Sequence, residues 1–341
     1  MRLILAFLLI FPFTLQAQEA TQTFGSGPQI FRLRSTTDID ILGPVIALFA
    51  ELNPGITVNF EQWGSNALFE NSRTACEGGD DPADVVFSSA VQQMVWLVNA
   101  SCARPYTSAL TTALPDTRRW RNELWGITQE PAVIVYNRDQ IKGADVPRTR
   151  FALLDLMRTR PSDLRGRIAT YDITESGLGF LFAHSDSLEA STFGAMLEGF
   201  SRVGAVATCC SAEIIDGVAS GRFQIAYNVL GSYAASNERP NVGIITPEDY
   251  TLILSRGFMI PNNARQPQIA ERLLDFLLDE EAQQMLADVG LRMAHAPEET
   301  GMPVSARRPI ALSPTLLIAM DQGQRRQLFA LWSSAFEPDV P

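Results

Sequence analysis

Between Ile30 and Phe60 the pattern of apolar and polar positions changes period twice. Ile30, Phe31 and Leu33 form a short apolar run that predicts a strand, and the polar cluster Ser35-Thr36-Thr37-Asp38 marks where helical spacing takes over. Leu42, Val45, Ile46 and Phe49 recur at i, i+3, i+4 and i+7, so they share one helix face. Asn53-Pro54-Gly55 ends that helix, and Ile56-Thr57-Val58-Asn59-Phe60 alternates as a second strand. In a parallel sheet the loop from a strand end to a helix start offers hydroxyls and free N–H groups to a ligand, which places Ser35, Thr36, Thr37 and Asp38 at a cleft.

The unit repeats. Ala83 to Phe87 reads as a strand, Ser88 and Ser89 occupy its end, and Val91, Val95 and Val98 continue at near-helical spacing. Trp125 to Pro131, with Gly and Pro at its flanks, predicts a crossing into the buried strand Ala132 to Asn137. A linker and helix follow, ending at Met157-Arg158, then a strand reaching Asp172. Thr174 or Ser176 caps a helix that begins near Gly177. The strand Gly204 to Thr208 runs through Cys209-Cys210-Ser211 into the helix Ala212 to Ser220, and Arg222 to Asn228 makes a strand ending at Val229 to Tyr233. Val242 to Ile245 and Leu252 to Leu254 are short apolar runs, and Thr246 to Tyr250 between them is read as a second crossing. A helix from Gln268 to Val289 and a helical tail from Pro314 to Ser334 close the chain.

Composition changes the picture at the N-terminus first. Met1-Arg2, the apolar run Leu3 to Leu15 and the small Ala17 predict a secretory signal over residues 1–17, with cleavage near Ala17 or at Ala20. The run is too short for a transmembrane span, and no cysteine follows it closely enough for a lipid anchor. The expected compartment is the periplasm. A chain of 341 residues, 46% of them hydrophobic, has material for about two domains. The net charge of −11 argues against nucleic acid and anionic membrane as partners, while leaving room for a local anion site.

In an oxidising compartment four cysteines invite pairing. Helices flanking the strand Asp84 to Phe87 bring Cys76 and Cys102 to one edge of the sheet, which predicts a Cys76–Cys102 disulfide. Adjacent Cys209 and Cys210 are read either as a vicinal disulfide or as two buried thiols.

The order of these pieces resembles the type II periplasmic solute-binding proteins, in the branch that includes ferric-iron, phosphonate and phosphoglycerate-related members. The segments that carry the likeness are Phe49-Ala50-Glu51-Leu52-Asn53-Pro54-Gly55-Ile56, Pro82-Ala83-Asp84-Val85-Val86, Val135-Tyr136-Asn137, Asp163 to Ala169, and Ala270 to Leu278 with Gln283-Gln284. The resemblance implies an α/β protein of two lobes joined by a two-segment hinge, with one ligand closed between them. One lobe is expected from residues 24–130 plus 250–300 and the other from 131–249, with 301–341 as a C-terminal helical segment of open assignment. It further implies a monomer that presents its solute to an ABC-type permease, or alternatively to a sensor kinase, with no cofactor and no enzymatic turnover.

Ferric members of the branch hold the metal with adjacent tyrosines plus His and Glu. Here the matching position reads Ser232-Tyr233-Ala234, with one tyrosine, and the sole histidines are His184 and His295. A small anion suits the residues better: Ser35, Thr36 and Thr37 face Thr174, Ser176 and Gly177 from the opposite lobe, and Arg256 is the expected partner of the anion unless it sits exposed in a surface turn. Trp63, Ser65, Ser88, Ser89, Asn228, Ser232 and Tyr233 complete the expected wall. Other chemistries lack their patterns. There is no Gly-x-Ser-x-Gly and no His-Glu-x-x-His, and Asp80, Asp81 and Asp84 cluster at a Gly-Gly-Asp-Asp-Pro turn that reads as a solvated loop.

Overall fold

The computed structural model describes residues 18–235, 239–293 and 303–336; the expected leader and His295 lie outside them. Two seven-stranded sheets organise the chain. The first contains β1 (Gln18–Phe24), β2 (Gln29–Ser35), β3 (Ile56–Trp63), β4 (Val85–Ser88), β5 (Arg119–Trp120) and β6 (Leu124–Gly126). The second contains β7 (Glu130–Asn137), β8 (Ile168–Tyr171), β9 (Val206–Thr208), β10 (Ile225–Leu230), β11 (Val242–Ile245) and β12 (Thr251–Leu254). The chain then returns with β13 (Gly257–Met259) to the first sheet and adds β14 (Arg307–Pro309) to the second.

The strand order of the first sheet is β1-β3-β2-β4-β13-β6-β5, with β2 parallel to both β3 and β4. That parallel pairing is what sets the ends of β2 and β4, and the loops that follow them, side by side. Val58, Phe60, Phe31, Leu33, Val85 and Phe87 fill the space between this sheet and its helices, against Leu42, Val45, Ile46 and Phe49 from the helix Ile39–Leu52. In the second sheet β7 is antiparallel to β10 on one side and to β11 and β12 on the other, and β8 runs parallel to β10 and β9.

Several boundaries differ from the sequence expectation, each for a local reason. The first lobe includes residues before 24, because the polar segment QEATQTF, Gln18–Phe24, pairs antiparallel with β3 as an edge strand. The second crossing falls at Ser255-Arg256 and not at 246–250: Ile253 and Leu254 pair with Pro131 and Glu130, so β12 belongs to the second sheet. The continuous helix expected over 268–289 is two, Pro267–Leu278 and Glu280–Asp288, because the Asp279 side chain accepts from the Glu281 N–H and starts a new one. The C-terminal segment touches both lobes. The helix Leu317–Met320 packs on the helix Val91–Asn99 of the first, and Gln322–Phe336 packs on Phe193–Arg202 of the second.

The Cys76–Cys102 bridge is present, with a Cα–Cα distance of 5.3 Å. Cys209 and Cys210 are also joined to each other, and both are exposed, which overturns the reading of two buried thiols.

Candidate functional site

The two lobes meet along a seam built from strand ends and helix starts. On the first lobe, Ser35 Oγ accepts from the Thr37 N–H at 2.9 Å, closing a tight turn directly after β2. Thr36 Oγ1 lies 3.1 Å from Ser89 Oγ and accepts the Ser89 N–H at 2.9 Å, so the parallel strands β2 and β4 hand their polar ends to one place. Ser88 Oγ accepts the Ala90 N–H in the same way.

The second lobe answers with the helix Gly177–Glu189. Ser176 is its N-cap, accepting from Gly179 N–H at 3.0 Å. The Gly177 N–H donates to Ser65 Oγ at 2.8 Å, and the Gly177 carbonyl accepts from Gln92 Nε2 at 2.7 Å. Asn66 Nδ2 donates to the carbonyls of Thr174 and Glu175 at 2.9 and 3.0 Å. Gln93 Nε2 in turn supports Asn66 Oδ1 at 2.8 Å. A larger residue at 177 would crowd this approach: a Cβ there would stand 2.8 Å from Gln93 Nε2 and 3.0 Å from Ala90 Cβ.

Asp38 and Tyr233 bridge the lobes at the next point along the seam, with Tyr233 Oη donating to Asp38 Oδ1 at 3.0 Å. Burial pushes the Asp38 carboxyl above the ordinary aspartate range, only partly offset by the Tyr233 hydroxyl and the charge of Arg256. Burial, with Asp38 alongside, likewise pushes the Tyr233 phenol up, so it serves as a donor and stays protonated. The sign follows for Asp38: the folded protein holds this proton to higher pH than the unfolded chain, so stability falls as pH rises through that window from about pH 4 upward. Asp38→Asn keeps an acceptor for Tyr233 and cannot ionise. Melting temperatures measured across a pH series should therefore show the variant gaining on the parent as pH rises to neutrality, and two parallel curves would refute the assignment.

Arg256 lies where the second crossing leaves β12, fully buried. Its Nε and Nη2 engage both oxygens of Glu130 at 2.8 and 3.1 Å, and Nη1 donates to Thr37 Oγ1 at 3.0 Å. Glu130 also accepts from Ser232 Oγ at 2.5 Å and from Thr128 Oγ1 at 2.7 Å. The guanidinium expected to meet an anion is thus already neutralised by a carboxylate on the first crossing, and the alternative of an exposed arginine is excluded. Sequence spacing could not show this, because the partners stand 126 residues apart.

Other expected wall residues divide. Ser35, Thr36, Thr37, Asp38, Ser65, Ser88, Ser89, Ser176, Gly177, Ser232 and Tyr233 gather at the seam or the hinge beside it. Thr174 contributes its carbonyl there, while its hydroxyl turns back to Asp172 at 2.6 Å. Asn228 does not take part, because at φ 55° its side chain turns into the second lobe and donates to Asp186 at 2.5 Å. Trp63 is held on its own lobe, with the Arg34 guanidinium 5.2 Å from its ring and its N–H donating to Glu61 at 3.2 Å.

Three seam residues were missed from sequence: Asn66, Gln92 and Gln93. The signal was available in Gln92-Gln93, two amides in the first turn of an otherwise largely apolar helix that follows the strand-end serines. Both are buried, and each leaves its Oε1 without a hydrogen bond.

The profile of the bacterial extracellular solute-binding proteins matches residues 35–284, well over half of the chain. The chain is a bacterial extracellular solute-binding protein. Among solved structures, it is similar to the substrate-binding protein of an ABC transporter from Agrobacterium tumefaciens, with 30% identity, a TM-score of 0.86, and 93% of this chain and 98% of that one covered. Iron-bound HitA from Pseudomonas aeruginosa shares the fold at 19% identity and a TM-score of 0.68, covering 90% of this chain and 99% of that one. AfuA from Actinobacillus pleuropneumoniae, solved with exogenous fructose-6-phosphate, does so at 14% identity and 0.70, covering 92% and 100%. No curated protein sequence matches the chain. The two-lobed type II periplasmic binding fold is therefore established for this solute-binding protein, and its family serves transport rather than catalysis.

Proposed function

We propose that this solute-binding protein captures a small polar solute between its lobes in the periplasm and presents the closed complex to an ABC-type permease in the inner membrane. The observation that carries this reading is the seam itself. Ser65 and Asn66 of one lobe bond Gly177, Thr174 and Glu175 of the other directly, while both hinge strands meet at Glu130–Arg256. Closure of that kind supplies affinity by bringing donors and acceptors from both lobes onto one ligand and by excluding water.

The solute we propose is a hydroxylated organic acid, its phosphate ester or a phosphonate. Its oxygens suit the starts of the helices Ile39–Leu52, Ser65–Cys76, Val91–Asn99 and Gly177–Glu189, all of which reach the seam. Its hydroxyl groups suit the unpaired carbonyl oxygens of Gln92 and Gln93, each of which costs about 1–3 kcal/mol while buried without a donor. Arg256 holds the hinge in this reading and does not bind the anion. Among the described residues no three His, Cys, Asp or Glu side chains converge to hold a metal, and Tyr233 is engaged by Asp38, so no observation favours a ferric ligand. None favours a sensor kinase over a permease.

The test is a thermal-shift screen of the mature protein against phosphorylated three-carbon hydroxy acids, phosphonates, di- and tricarboxylates, inorganic phosphate and ferric ion. A ligand that binds only the folded state at a hundred times its Kd stabilises by about 2.7 kcal/mol, so a true solute gives a clear rise. We expect the rise with hydroxylated acids or their phosphates. A rise with ferric ion alone would discard the ligand class.

A further inference from the structure

The exposed Cys209–Cys210 pair sits at a place where its chemistry reaches the seam. It joins the end of β9 to the helix Ser211–Ala219, and Cys210 is that helix's N-cap residue. On one side, the Thr208 carbonyl accepts from the Asp172 N–H at 2.8 Å. The Asp172 carboxylate holds the Thr174 N–H at 2.8 Å, and the Thr174 carbonyl accepts from Asn66 of the first lobe. On the other side, Ser211 Oγ lies 2.5 Å from Tyr171 Oη, which accepts the Leu230 N–H at 3.3 Å. Leu230 leads directly into Gly231–Ala235, whose Ser232 bonds Glu130 at the hinge. Both flanks of the disulfide are therefore tied by short polar links to the parts of the second lobe that close on the first.

We propose that Cys209–Cys210 is a reversible dithiol–disulfide site, and that its redox state sets how firmly this lip of the second lobe is held. The contrast with the other bridge supports the assignment. Cys102 is only 4% exposed and packs with Cys76 against the first core, whereas both neighbouring cysteines stand open to solvent. Exchange rates follow access and the stability of the leaving thiolate. A dithiol reductant attacks as its thiolate at Cys209 Sγ. The S–S bond breaks, and Cys210 leaves as a thiolate favoured by the helix N-terminus and then takes up a proton. The second thiol of the reductant displaces Cys209, closing the reductant's own disulfide. Two electrons and two protons pass to the protein. The small ring that locks residues 209 and 210 is opened, and the constraint on Thr208 and Ser211 goes with it.

This chemistry does not depend on which solute the seam holds, so its failure and that of the proposed function are separable. The experiment treats the full mature protein with increasing dithiothreitol under native conditions, traps free thiols with iodoacetamide, locates them by peptide mass spectrometry, and follows hydrogen exchange in parallel. We expect Cys209 and Cys210 to be alkylated at least about tenfold sooner than Cys76 and Cys102. Exchange in residues 171–176 and 211–219 should rise with that first event and return to its starting level with oxidised glutathione. The double variant Cys209→Ser, Cys210→Ser should show the raised exchange without any reductant. Simultaneous or earlier opening of Cys76–Cys102 would overturn the proposal, as would unchanged exchange after Cys209–Cys210 has been reduced.

Discussion

Gly177→Val should hold the lobes apart and weaken solute binding by at least about tenfold, the equivalent of about 1.4 kcal/mol. The three atoms nearest to an added Cβ are Gln93 Nε2 at 2.8 Å, Ala90 Cβ at 3.0 Å and Asn66 Oδ1 at 3.1 Å, and all belong to the opposite lobe. The side chain would thus meet resistance only on closure, and neither lobe needs to repack to fold. Gly177 also donates to Ser65 and accepts from Gln92, and both bonds lengthen if the backbones are wedged apart. Small-angle scattering should report a larger radius of gyration for the variant, while its unfolding midpoint stays near that of the parent. Gly194→Val is the matched control, because nothing lies within 4 Å of a Cβ there. Equal affinity in the two variants would show that the solute is not held by closure at this seam.

Arg256→Ala should destabilise the protein by about 3–5 kcal/mol, the usual cost of stranding one partner of a buried ion pair. Glu130 and Arg256 are both fully buried, so removing the guanidinium leaves a carboxylate with only Ser232 and Thr128 to solvate it. Thr37 loses its donor in the same step. Denaturant unfolding would read the loss directly. Glu130→Leu combined with Arg256→Met should recover most of it, because a buried pair replaced as a whole by apolar groups is often neutral. A fully stable Arg256→Ala protein would mean that the pair contributes nothing at the hinge.

These two residues also show where sequence reasoning stops. Strand ends such as Ser35 and Ser88 were legible because a period change from two to 3.6 marks them locally, and parallel pairing then brings them together without further information. Ser176 was legible as one of two cap candidates beside Thr174, and the position of the Cys76–Cys102 bridge followed from helices flanking one strand. Arg256 was placed near the cleft, but its partner Glu130 was missed, since nothing near it in sequence reveals that carboxylate. Asn228 failed differently. Its expected position was a strand end like that of the serines, but β10 runs on to Leu230, and at Asn228 a left-handed backbone inside the strand turns the side chain inward to Asp186, an angle that leaves no trace in composition. The crossing expected at 246–250 failed because Pro247 and its polar neighbours look like a linker, whereas β11 and β12 lie end to end along β7.

The C-terminal tail bears on how far the lobes can swing. Leu317–Met320 rests on the first lobe and Gln322–Phe336 on the second, with Asp321 alone between them. Phe329 packs at a tilt against Phe180 with ring centroids 5.4 Å apart, and Trp332 and Phe336 pack into the second core, so the longer helix is well rooted. Any parting of the lobes must then bend the chain at Asp321 or peel the short helix from Val91–Asn99. The tail is thus a strap laid across the joint: its short helix rests on Val91–Asn99 while Ala319 and the longer helix are rooted in the second core, so any relative movement of the lobes loads this link.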